Sequence, residues 1–547
     1  MITIRLNIQA LVIIFICCCS SSQRLFAQNV ADYIKIGGSI NLSDNFYSSS
    51  GIDKRQPANV ASAIFRTTVT IYNQIQLPFE FYWTSKERKF QQPFNQFGVS
   101  PRISSWLTLH GGYFSSRISD LSFGDLRMLG GGVELTPGNF RLKVLYGKSR
   151  NAVEPDNSNF LPAVYKQTAY AASIGYGNEA TNFFNINLFR AIDDTNSIKR
   201  DSSTITPNEN LVGSISFGTQ IIDELNINGE IGLSAFSSNI TAESLKDVST
   251  SSFFFSPNTS SRLDGAAKLN INIRPSNAWS LRLSSRWIGP GFTTLGYALL
   301  PNDLMEFSLS PNVRLLDNKL NIRAQAGIRF NNLRSNRLST TSRFTGSFGA
   351  NWQVNQNFGF DLNYNNNQIQ SSHKNDTLKL SNIFNSISIS PRILFEGLGG
   401  NNNLIFTYTY QDVSDKNVYT SKVSDNRTHS VSTIHSLMFP SSWSFTTTAL
   451  FNSTSVSTLS TRIINLSETI GRRFFDNKLS ASVSLGLNFI KTTVNDTQLV
   501  FRLTSTYSLD KWGNISFNLS NNNYNGTGEL TKTYNELYGS LQYNINF

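Results

Sequence analysis

Apolar and polar residues alternate along most of this chain, from Tyr33 to the carboxyl end. A repeat of two residues is that of a β-strand with one apolar face and one polar face. In the last segment the apolar face carries Leu537, Gly539, Leu541, Tyr543, Ile545 and Phe547. Most chain termini are polar and frayed. Because the alternation reaches Phe547, we expect a last strand that is paired to its final residue.

The same alternation recurs throughout the chain. It is clearest at residues 140–147, 263–274, 320–331, 343–354, 479–489 and 499–509. After the N-terminal segment the chain contains no long segment of helical periodicity. It also contains no apolar run of about 18 residues, so helical membrane spans are not expected.

Short connections alternate with longer ones between these segments. The short ones hold the Asp, Asn, Gly and Pro residues that tight turns require: 136–139, 177–180, 275–278, 316–319, 355–357, 440–442, 475–478 and 509–512. The longer, polar ones include 151–162, 193–207, 238–260, 289–302 and 412–428. Counting on this basis predicts about 26 strands (24–26), about 12 short turns and about 13 longer loops, a spacing that suits strands of about 9–11 residues crossing a bilayer. The count is least clear at 94–113 and 396–403.

Three all-β architectures show such alternation: a soluble sandwich, a propeller and a transmembrane barrel. Soluble sandwiches have shorter strands with many outer charges, whereas only 15% of this chain is charged. A propeller would repeat a motif every 40–50 residues or so, but the Ser-Pro pairs at 100–101, 310–311 and 390–391 have no constant spacing. Strands that face hydrocarbon must form a closed sheet, because lipid offers the backbone no hydrogen-bond partner. The pattern therefore predicts an all-β, transmembrane, antiparallel up-and-down β-barrel over residues 28–547.

Aromatic residues gather near the ends of the predicted strands. One group is Phe79, Phe81, Tyr82 and Trp83, and others beside turns or loops are Trp279, Trp287, Trp443, Phe474, Phe475 and Trp512. We interpret them as girdles at the two membrane interfaces; the alternative is that they are ordinary aromatic residues at strand edges.

The first 27 residues have the features of a cleaved signal peptide: the positive Arg5, an apolar run at 10–19, and Ala27 before Gln28. An N-terminal anchor is disfavoured because the run is too short to span a membrane. A lipoprotein acylated at Cys19 is disfavoured because Cys18 precedes it, where Gly, Ala or Ser is usual. All three cysteines, 17–19, lie in this segment, so the exported chain would hold no disulfide. Cleavage removes two arginines and no acid, which lowers the formal charge from +11 to +9.

Basic residues dominate the polar faces of the predicted strands. They are Arg141, Lys143, Lys268, Arg274, Arg282, Arg286, Arg323, Arg329, Arg343 and Arg502. The acids assigned to the same faces are Asp264, Glu230 and Asp361. A lumen lined in this way would concentrate anions and disfavour cations. The alternative is that the bases pair with acids on neighbouring strands and tie the wall together.

Signals for other chemistry are weak. The histidines, His110, His373, His429 and His435, do not have the spacing of metal ligands, and no Ser–His or Asp–His pair stands out. We therefore predict no enzymatic activity, no metal site and no cofactor. No helix is expected after the glycines at 130–132, so they do not indicate a phosphate loop. The bases alternate along strands instead of clustering, so nucleic acid is not an expected partner.

The signal peptide, alternating strands, tight turns opposite long loops and C-terminal Phe together resemble Gram-negative outer-membrane β-barrels. The segments FNQFGVSPRISSWLTLHGGYF (94–114) and GGGVELTPGNFRLKVLYGKSRNAV (130–153) are similar to uncharacterised porin-like barrels of the Bacteroidota. The resemblance implies periplasmic turns, extracellular loops and an outer-membrane location. It also implies that the barrel-assembly machinery reads Tyr543, Ile545 and Phe547 as an insertion signal.

A closed barrel of about 26 strands would be about 50 Å wide. Residues 28–32, between the expected cleavage point and the first strand, leave no room for an N-terminal plug domain. The longest predicted loop, 238–260, is too short to fill the lumen alone, so we expect a periplasmic or lipoprotein plug. Two functions follow: a pore for solutes with a basic lumen, or a non-enzymatic structural or export-machinery subunit that a partner plugs.

Overall fold

The computed structural model describes residues 34–547 except 73–74, 86–95, 125, 156–161, 200–204, 246–253, 374, 418, 458 and 529–530. The predicted signal peptide, 1–27, and the segment 28–32 lie outside the described residues. Within the described part of the chain, no helix is long and apolar enough to cross a membrane. The helical segments there are α1 (Ser421–Ser424) and two 3-10 turns, Asp376–Leu378 and Asp510–Trp512.

Nearly all regular structure in the described residues belongs to one antiparallel sheet of 27 strand segments. In chain order they are β1 Ile34–Ser50, β2 Asn59–Ile71, β3 Ile75–Thr84, β4 Gln96–Val99, β5 Arg102–Ile103, β6 Leu107–Ser115, β7 Arg127–Leu135, β8 Phe140–Arg150, β9 Gln167–Gly177, β10 Phe183–Asp193, β11 Glu209–Ile222, β12 Leu225–Ser237, β13 Ser261–Ile273, β14 Trp279–Ile288, β15 Leu304–Leu315, β16 Leu320–Asn331, β17 Thr341–Gln353, β18 Phe358–Ser371, β19 Ser381–Gly397, β20 Gly400–Asp415, β21 Asn426–Met438, β22 Trp443–Val456, β23 Leu459–Phe474, β24 Leu479–Lys491, β25 Asn495–Ser508, β26 Asn514–Asn525 and β27 Tyr534–Asn546.

The sheet closes on itself, because β27 pairs with both β26 and β1. At the seam the N–H of Gly38 donates to the carbonyl of Phe547 at 2.7 Å, and the N–H of Phe547 donates to the carbonyl of Gly38 at 3.0 Å. The chain is therefore hydrogen-bonded to its final residue, as the alternation predicts. No edge is left where the first and last strands meet.

One wall strand is divided into two segments. Both β4 and β5 pair with β3 on one side and with β6 on the other, so the 27 segments form a 26-stranded barrel. The break falls at Ser100 and Pro101, where proline has no N–H to give to the ladder. This break explains why the strand count is unclear at 94–113. The predicted closed antiparallel barrel is confirmed.

The two ends of the barrel differ. The end that holds Ile34 and Phe547 is named the turn end, and the opposite end is named the loop end. Turns 136–139, 316–319 and 475–478 lie at the turn end with their predicted bounds. In the last two, a hydrophobic residue, Asp and Asn follow one another with φ between 52° and 69°, a left-handed conformation that Asp and Asn tolerate well.

The predicted alternation of short and long connections is wrong at two places. At the loop end, β22 and β23 are joined by residues 457–458, and β24 and β25 by residues 492–494. The loop predicted at 412–428 is also shorter, at 416–425. In these places the strands are longer than predicted: backbone pairing between neighbouring strands continues into residues whose polar composition favours a loop.

The two faces of the wall have opposite chemistry. Phe451, Leu466 and Leu487 face outward and leave 40–49% of their surface exposed, as side chains in contact with hydrocarbon do. On the inner face, the side-chain amide of Asn488 accepts from Asn465 at 2.6 Å and donates to Gln498 at 2.8 Å. The apolar face thus points to lipid and the polar face to the lumen.

Candidate pore

Two loop-end connections fold into the lumen instead of lying outside it. They are named the first inner loop, 116–126, which joins β6 to β7, and the second inner loop, 289–303, which joins β14 to β15. Leu121, Phe123 and Phe292 at their tips are 0–1% exposed. Apolar residues within otherwise polar loops explain this inward course, because burial removes them from water.

The inner loops cross and bond to each other. Phe123 and Gly296 form a parallel bridge, and the N–H of Gly124 donates to the carbonyl of Gly296 at 3.0 Å. The hydroxyl of Thr294 donates to the carbonyl of Ser122 at 2.6 Å. A side chain at Gly296 would have no room, because its Cβ would lie 2.2 Å from the carbonyl oxygen of Ser122.

Two buried wall residues hold the inner loops in place. The carboxylate of Glu230 on β12 accepts the N–H of Asp120 at 2.9 Å and that of Leu121 at 3.3 Å. Asn210 on β11 donates to the carbonyl of Thr293 at 2.9 Å and accepts the N–H of Leu295 at 2.9 Å. Each side chain satisfies loop backbone groups that burial removes from water.

Apolar packing completes the contact between the inner loops and the wall. The Phe123 ring lies 5.4 Å from the Phe189 ring, centroid to centroid, in a stacked arrangement. Small inward side chains, Ala169, Ala171 and Ala191, make room for the loops and are 0–2% exposed. Among the described residues, this buried apolar cluster runs from Phe114 to Leu304. The inner loops therefore cover the wall from β6 to β15, and among the described residues this cluster has no member on β16 to β27, which are named the free sector.

The sequence pattern predicted the second inner loop as a long connection, 289–302, but it did not predict that either loop folds into the lumen. It directed attention to the longest loop, 238–260, of which 246–253 lie outside the described residues. Large apolar residues in these connections could have predicted the inward course: Leu121 and Phe123 in the first inner loop, and Phe292, Leu295 and Leu300 in the second. Such residues in a polar connection indicate a loop that packs against something.

Four of the predicted lumen bases have acidic partners. Arg141 lies 3.3 Å from Glu179, and Lys143 lies 3.4 Å from Glu134. Arg286 lies 2.7 Å from Glu306, and Lys268 pairs with Asp120 of the first inner loop. These four bases therefore form ion pairs, as expected if the bases tie the wall together.

The other six bases have no acid in contact among the described residues. Arg282 donates to Asn272 at 2.9 Å and Arg343 to Asn367 at 3.0 Å. Arg274 lies beyond the end of β13, in an exposed turn, where it donates to Asn277 at 3.0 Å. The described contacts include no hydrogen bond or ion pair for Arg323, Arg329 or Arg502, which sit at inward positions of β16 and β25.

The three acids predicted on the inner face are all engaged. Glu230 is held by the first inner loop, Asp264 pairs with Arg334 at 2.8 Å, and Asp361 accepts a hydrogen bond from Asn351. Glu396, near the turn end of β19, is an inward acid with no partner among the described contacts. Among these ten bases and four acids, three bases and one acid therefore have no partner in the described contacts.

Ser100, His110 and Glu134 form a chain of contacts that resembles a hydrolase triad. The Ser100 hydroxyl lies 2.9 Å from His110 Nδ1, and His110 Nε2 lies 3.1 Å from a Glu134 carboxylate oxygen. The sequence pattern missed this group because its members come from different strands. Pro101, which follows Ser100, has no N–H to stabilise an oxyanion, and the His110 side chain is only 8% exposed. The contacts link the break between β4 and β5 to β6 and β7.

Among the described residues, no group of three or more His, Cys, Asp or Glu side chains is placed to hold a metal ion. His429 instead lies 3.0 Å from the Tyr408 hydroxyl, and His435 lies 2.9 Å from the Asn402 side-chain oxygen.

The predicted insertion residues lie on the outer face of β27. Tyr543 donates its hydroxyl to the carbonyl of Trp512 at 2.7 Å, and Phe547 is 45% exposed. On β22 and β23, also at the turn end, the Arg472 guanidinium lies 4.8 Å from the centroid of the Trp443 ring. These positions leave the apolar side chains accessible to an insertion machine, and their role as a signal stays a prediction.

The described parts of loops 151–166 and 194–208, which are 151–155, 162–166, 194–199 and 205–208, contact each other at the loop end. Val153 and Val164 exchange backbone hydrogen bonds at 2.9 and 3.0 Å, and Tyr165 is buried with Ile198. The backbone N–H of Asn196, which bonds the exposed carboxyl group of Asp194, lowers its pKa.

Comparison with known proteins shows likeness at the level of architecture. No protein-family model matches the chain, and no curated protein matches it. The P pilus usher (PapC) translocation pore is similar over 94% of this chain and 99% of its own, at 10% identity and a TM-score of 0.39. OccAB4 of Acinetobacter baumannii is similar over 67% of this chain and 97% of its own (10% identity, TM-score 0.30). FpvA of P. aeruginosa, bound to pyoverdine, is similar over 93% of this chain and 72% of its own (8% identity, TM-score 0.37).

Proposed function

We propose that this chain is a non-enzymatic outer-membrane pore whose partly open, basic lumen favours the passage of anions. The observation that carries the proposal is the imbalance of partners on the inner wall. Glu230, Asp264 and Asp361 are bonded, whereas Arg323, Arg329 and Arg502 face the lumen without partners among the described contacts. A field of one sign along a water-filled path concentrates ions of the other sign.

The inner loops give this pore its shape. They cover one sector of the wall, from β6 to β15, and leave the other sector free. A barrel about 50 Å wide without any filling would breach the membrane, so loops that reduce the open section are what a solute pore requires. Arg329 on β16 stands next to the covered sector and Arg502 on β25 stands in the free sector.

The location rests on the outer face of the wall. Large apolar side chains there are exposed, and exported barrels of this kind insert into outer membranes. We include in the proposal that residues 1–27 are removed as a signal peptide, that 28–547 form the barrel, and that the assembly machinery reads Tyr543, Ile545 and Phe547.

Planar-bilayer recording of the purified barrel tests the proposal. We expect stable, partner-independent channels whose conductance is far below that of an empty barrel of the same width. A protein that is folded and inserted but never conducts would refute the pore.

A second candidate is a subunit of an export or surface machine, with a periplasmic or lipoprotein partner in the lumen. The free sector from β16 to β27 favours it, because the described buried cluster around the inner loops does not extend to that sector. Isolation in mild detergent separates the two candidates: a stoichiometric lumen partner, whose removal opens large conductance, supports the second.

A further inference from the structure

A row of charged side chains crosses the inner wall from β12 to β17. Each member lies directly opposite the next across a strand pair, and the row is named the charged belt: Glu230, Lys268, Arg286, Glu306, Arg329 and Arg343. The belt lies at the height at which the second inner loop joins the wall, because Leu304, which follows that loop, and Glu306 are successive inward positions of β15. The belt holds four bases and two acids.

The charges of the belt are balanced on one side only. Glu230 accepts two N–H groups of the first inner loop, and Lys268 pairs with Asp120 of the same loop. Glu306 bonds Arg286 at 2.7 Å. Both carboxylates of the belt are thereby engaged before β16 is reached.

Arg329 and Arg343 remain without a carboxylate in contact. Arg343 donates one N–H to the neutral side chain of Asn367 at 3.0 Å, and the described contacts give Arg329 no partner. Like charges directly opposite each other on neighbouring strands repel, and their Cα atoms lie only about 4.5–5.5 Å apart. Arg329 also lies opposite Glu306, but that carboxylate is bonded to Arg286, so the two arginines together leave positive charge that a bound anion would offset.

We propose that Arg329 and Arg343 form a lumenal binding site for small solutes that carry two or more carboxylate or phosphate charges. Each guanidinium presents a planar fork that fits the oxygens of such a group, and two adjacent forks fit a polyanion. The proposal rests on the proposed pore, through which the solute reaches the site. Arg323 lies six residues further towards the turn end on the same inward face, about 20 Å away at ~3.3 Å per residue, and provides the next positive charge along the path.

Isothermal titration of the detergent-solubilised barrel tests the site without any need for conductance. The probes are inorganic pyrophosphate and, separately, propane-1,2,3-tricarboxylate. We expect saturable binding of at least one probe at one equivalent. Arg329→Gln and Arg343→Gln should each weaken it about tenfold, the loss that corresponds to one charged hydrogen-bonding group.

Two further variants keep the test specific. Arg282→Gln removes the same charge from the same wall, but Arg282 lies on β14, four residues from the belt member Arg286, about 13 Å along the strand at ~3.3 Å per residue, so binding should change less than about twofold. Arg329→Lys keeps the charge and removes the fork, so it should lie between wild type and Arg329→Gln. Heat-modifiable migration in gels verifies that each variant forms the barrel.

Two outcomes overturn the site: neither probe binds the wild type saturably, or Arg282→Gln weakens binding as much as the other two glutamine variants. Binding in a barrel that never conducts would refute the pore and leave the site standing. Conductance without saturable binding would refute the site and leave the pore standing.

Discussion

The carboxylate of Glu230, on the barrel wall, accepts the backbone N–H of Leu121, in the first inner loop, at 3.3 Å. Glu230 also accepts the neighbouring N–H of Asp120, and only 4% of the Glu230 residue is exposed. One buried wall acid therefore fixes the tip of a loop that narrows the lumen. It is both a member of the charged belt and the anchor of the constriction.

Removing this anchor should widen the pore. Glu230→Ala deletes two hydrogen bonds to a charged group, each worth about 1.5–3 kcal/mol, and should release the first inner loop. We expect a larger and noisier single-channel conductance. Asp361→Ala, which removes an inward acid from the free sector, is the matched control and should keep the wild-type value. Equal conductance in wild type and Glu230→Ala would show that this loop does not narrow the path.

The crossing of the two inner loops depends on the absence of a side chain at Gly296. In Gly296→Ala the new Cβ would meet the Ser122 carbonyl, so the bridge must open, at about 1–3 kcal/mol. Ser122 is 0% exposed, and a Ser122→Cys reporter should therefore react with a water-soluble maleimide about tenfold faster when Gly296→Ala is present.

Gly213→Ala is the control for this labelling experiment. A Cβ at Gly213 would meet nothing within 4 Å. With Gly213→Ala present, the labelling rate of the Ser122→Cys reporter should therefore equal that of the reporter alone. The exported chain is expected to contain no cysteine, which makes the reporter the single reactive thiol. Unchanged labelling in Gly296→Ala would contradict the described crossing.

The last residue can be tested separately as a signal and as a structural element. Phe547→Ala keeps both backbone hydrogen bonds with Gly38, so the assembled barrel should have nearly wild-type stability, while the yield of assembled protein in cells should fall severalfold. Deletion of Phe547 removes those bonds and should also lower the unfolding temperature. If Phe547→Ala assembles at the normal yield, its ring is not part of an insertion signal.

Glu468 tests the membrane-facing side of the wall. It lies on the outer face of β23, where it accepts a hydrogen bond from the Thr447 hydroxyl at 2.6 Å. Because an ionisable group in contact with lipid is costly, Glu468→Leu should stabilise the barrel by about 1–2 kcal/mol in lipid-vesicle unfolding. Thr447→Val, which removes the partner and keeps the acid, should destabilise it. A destabilised Glu468→Leu would place this face outside hydrocarbon.

The alternation of side chains was sufficient to predict the barrel, since a repeat of two that continues to Phe547 has few other solutions. The register between strands could not be predicted in the same way. The opposition of Arg329 and Arg343 depends on the length of turns and loops between β16 and β17, and single-strand patterns contain no such information. The ion pair of Arg286 with Glu306 agrees with the interpretation that bases tie the wall together. Arg502 has no partner among the described contacts, so for this base the lumen interpretation stays a prediction.

The inner loops escaped prediction for a different reason. Leu121 and Phe292 fold inward because the wall opposite them offers Ala169, Ala191 and Val212, from strands distant in sequence. Loop length, which was used to choose 238–260 as the segment that could fill the lumen, does not indicate whether a loop folds inward. The likeness to barrels of the Bacteroidota stays a prediction, because no protein-family model matches the chain. The cleavage before Gln28 also stays a prediction, because residues 1–33 lie outside the described part of the chain.

The sign of ion selectivity tests the central claim most directly. The reversal potential of purified wild-type channels should be measured in planar bilayers across a tenfold KCl gradient, together with a variant in which Arg323, Arg329 and Arg502 are all glutamine. We predict a reversal potential of the sign that chloride dictates in wild type, moving towards zero in the triple variant. A wild-type potential that follows potassium, or one that the three substitutions leave unchanged, would contradict a basic, anion-favouring lumen.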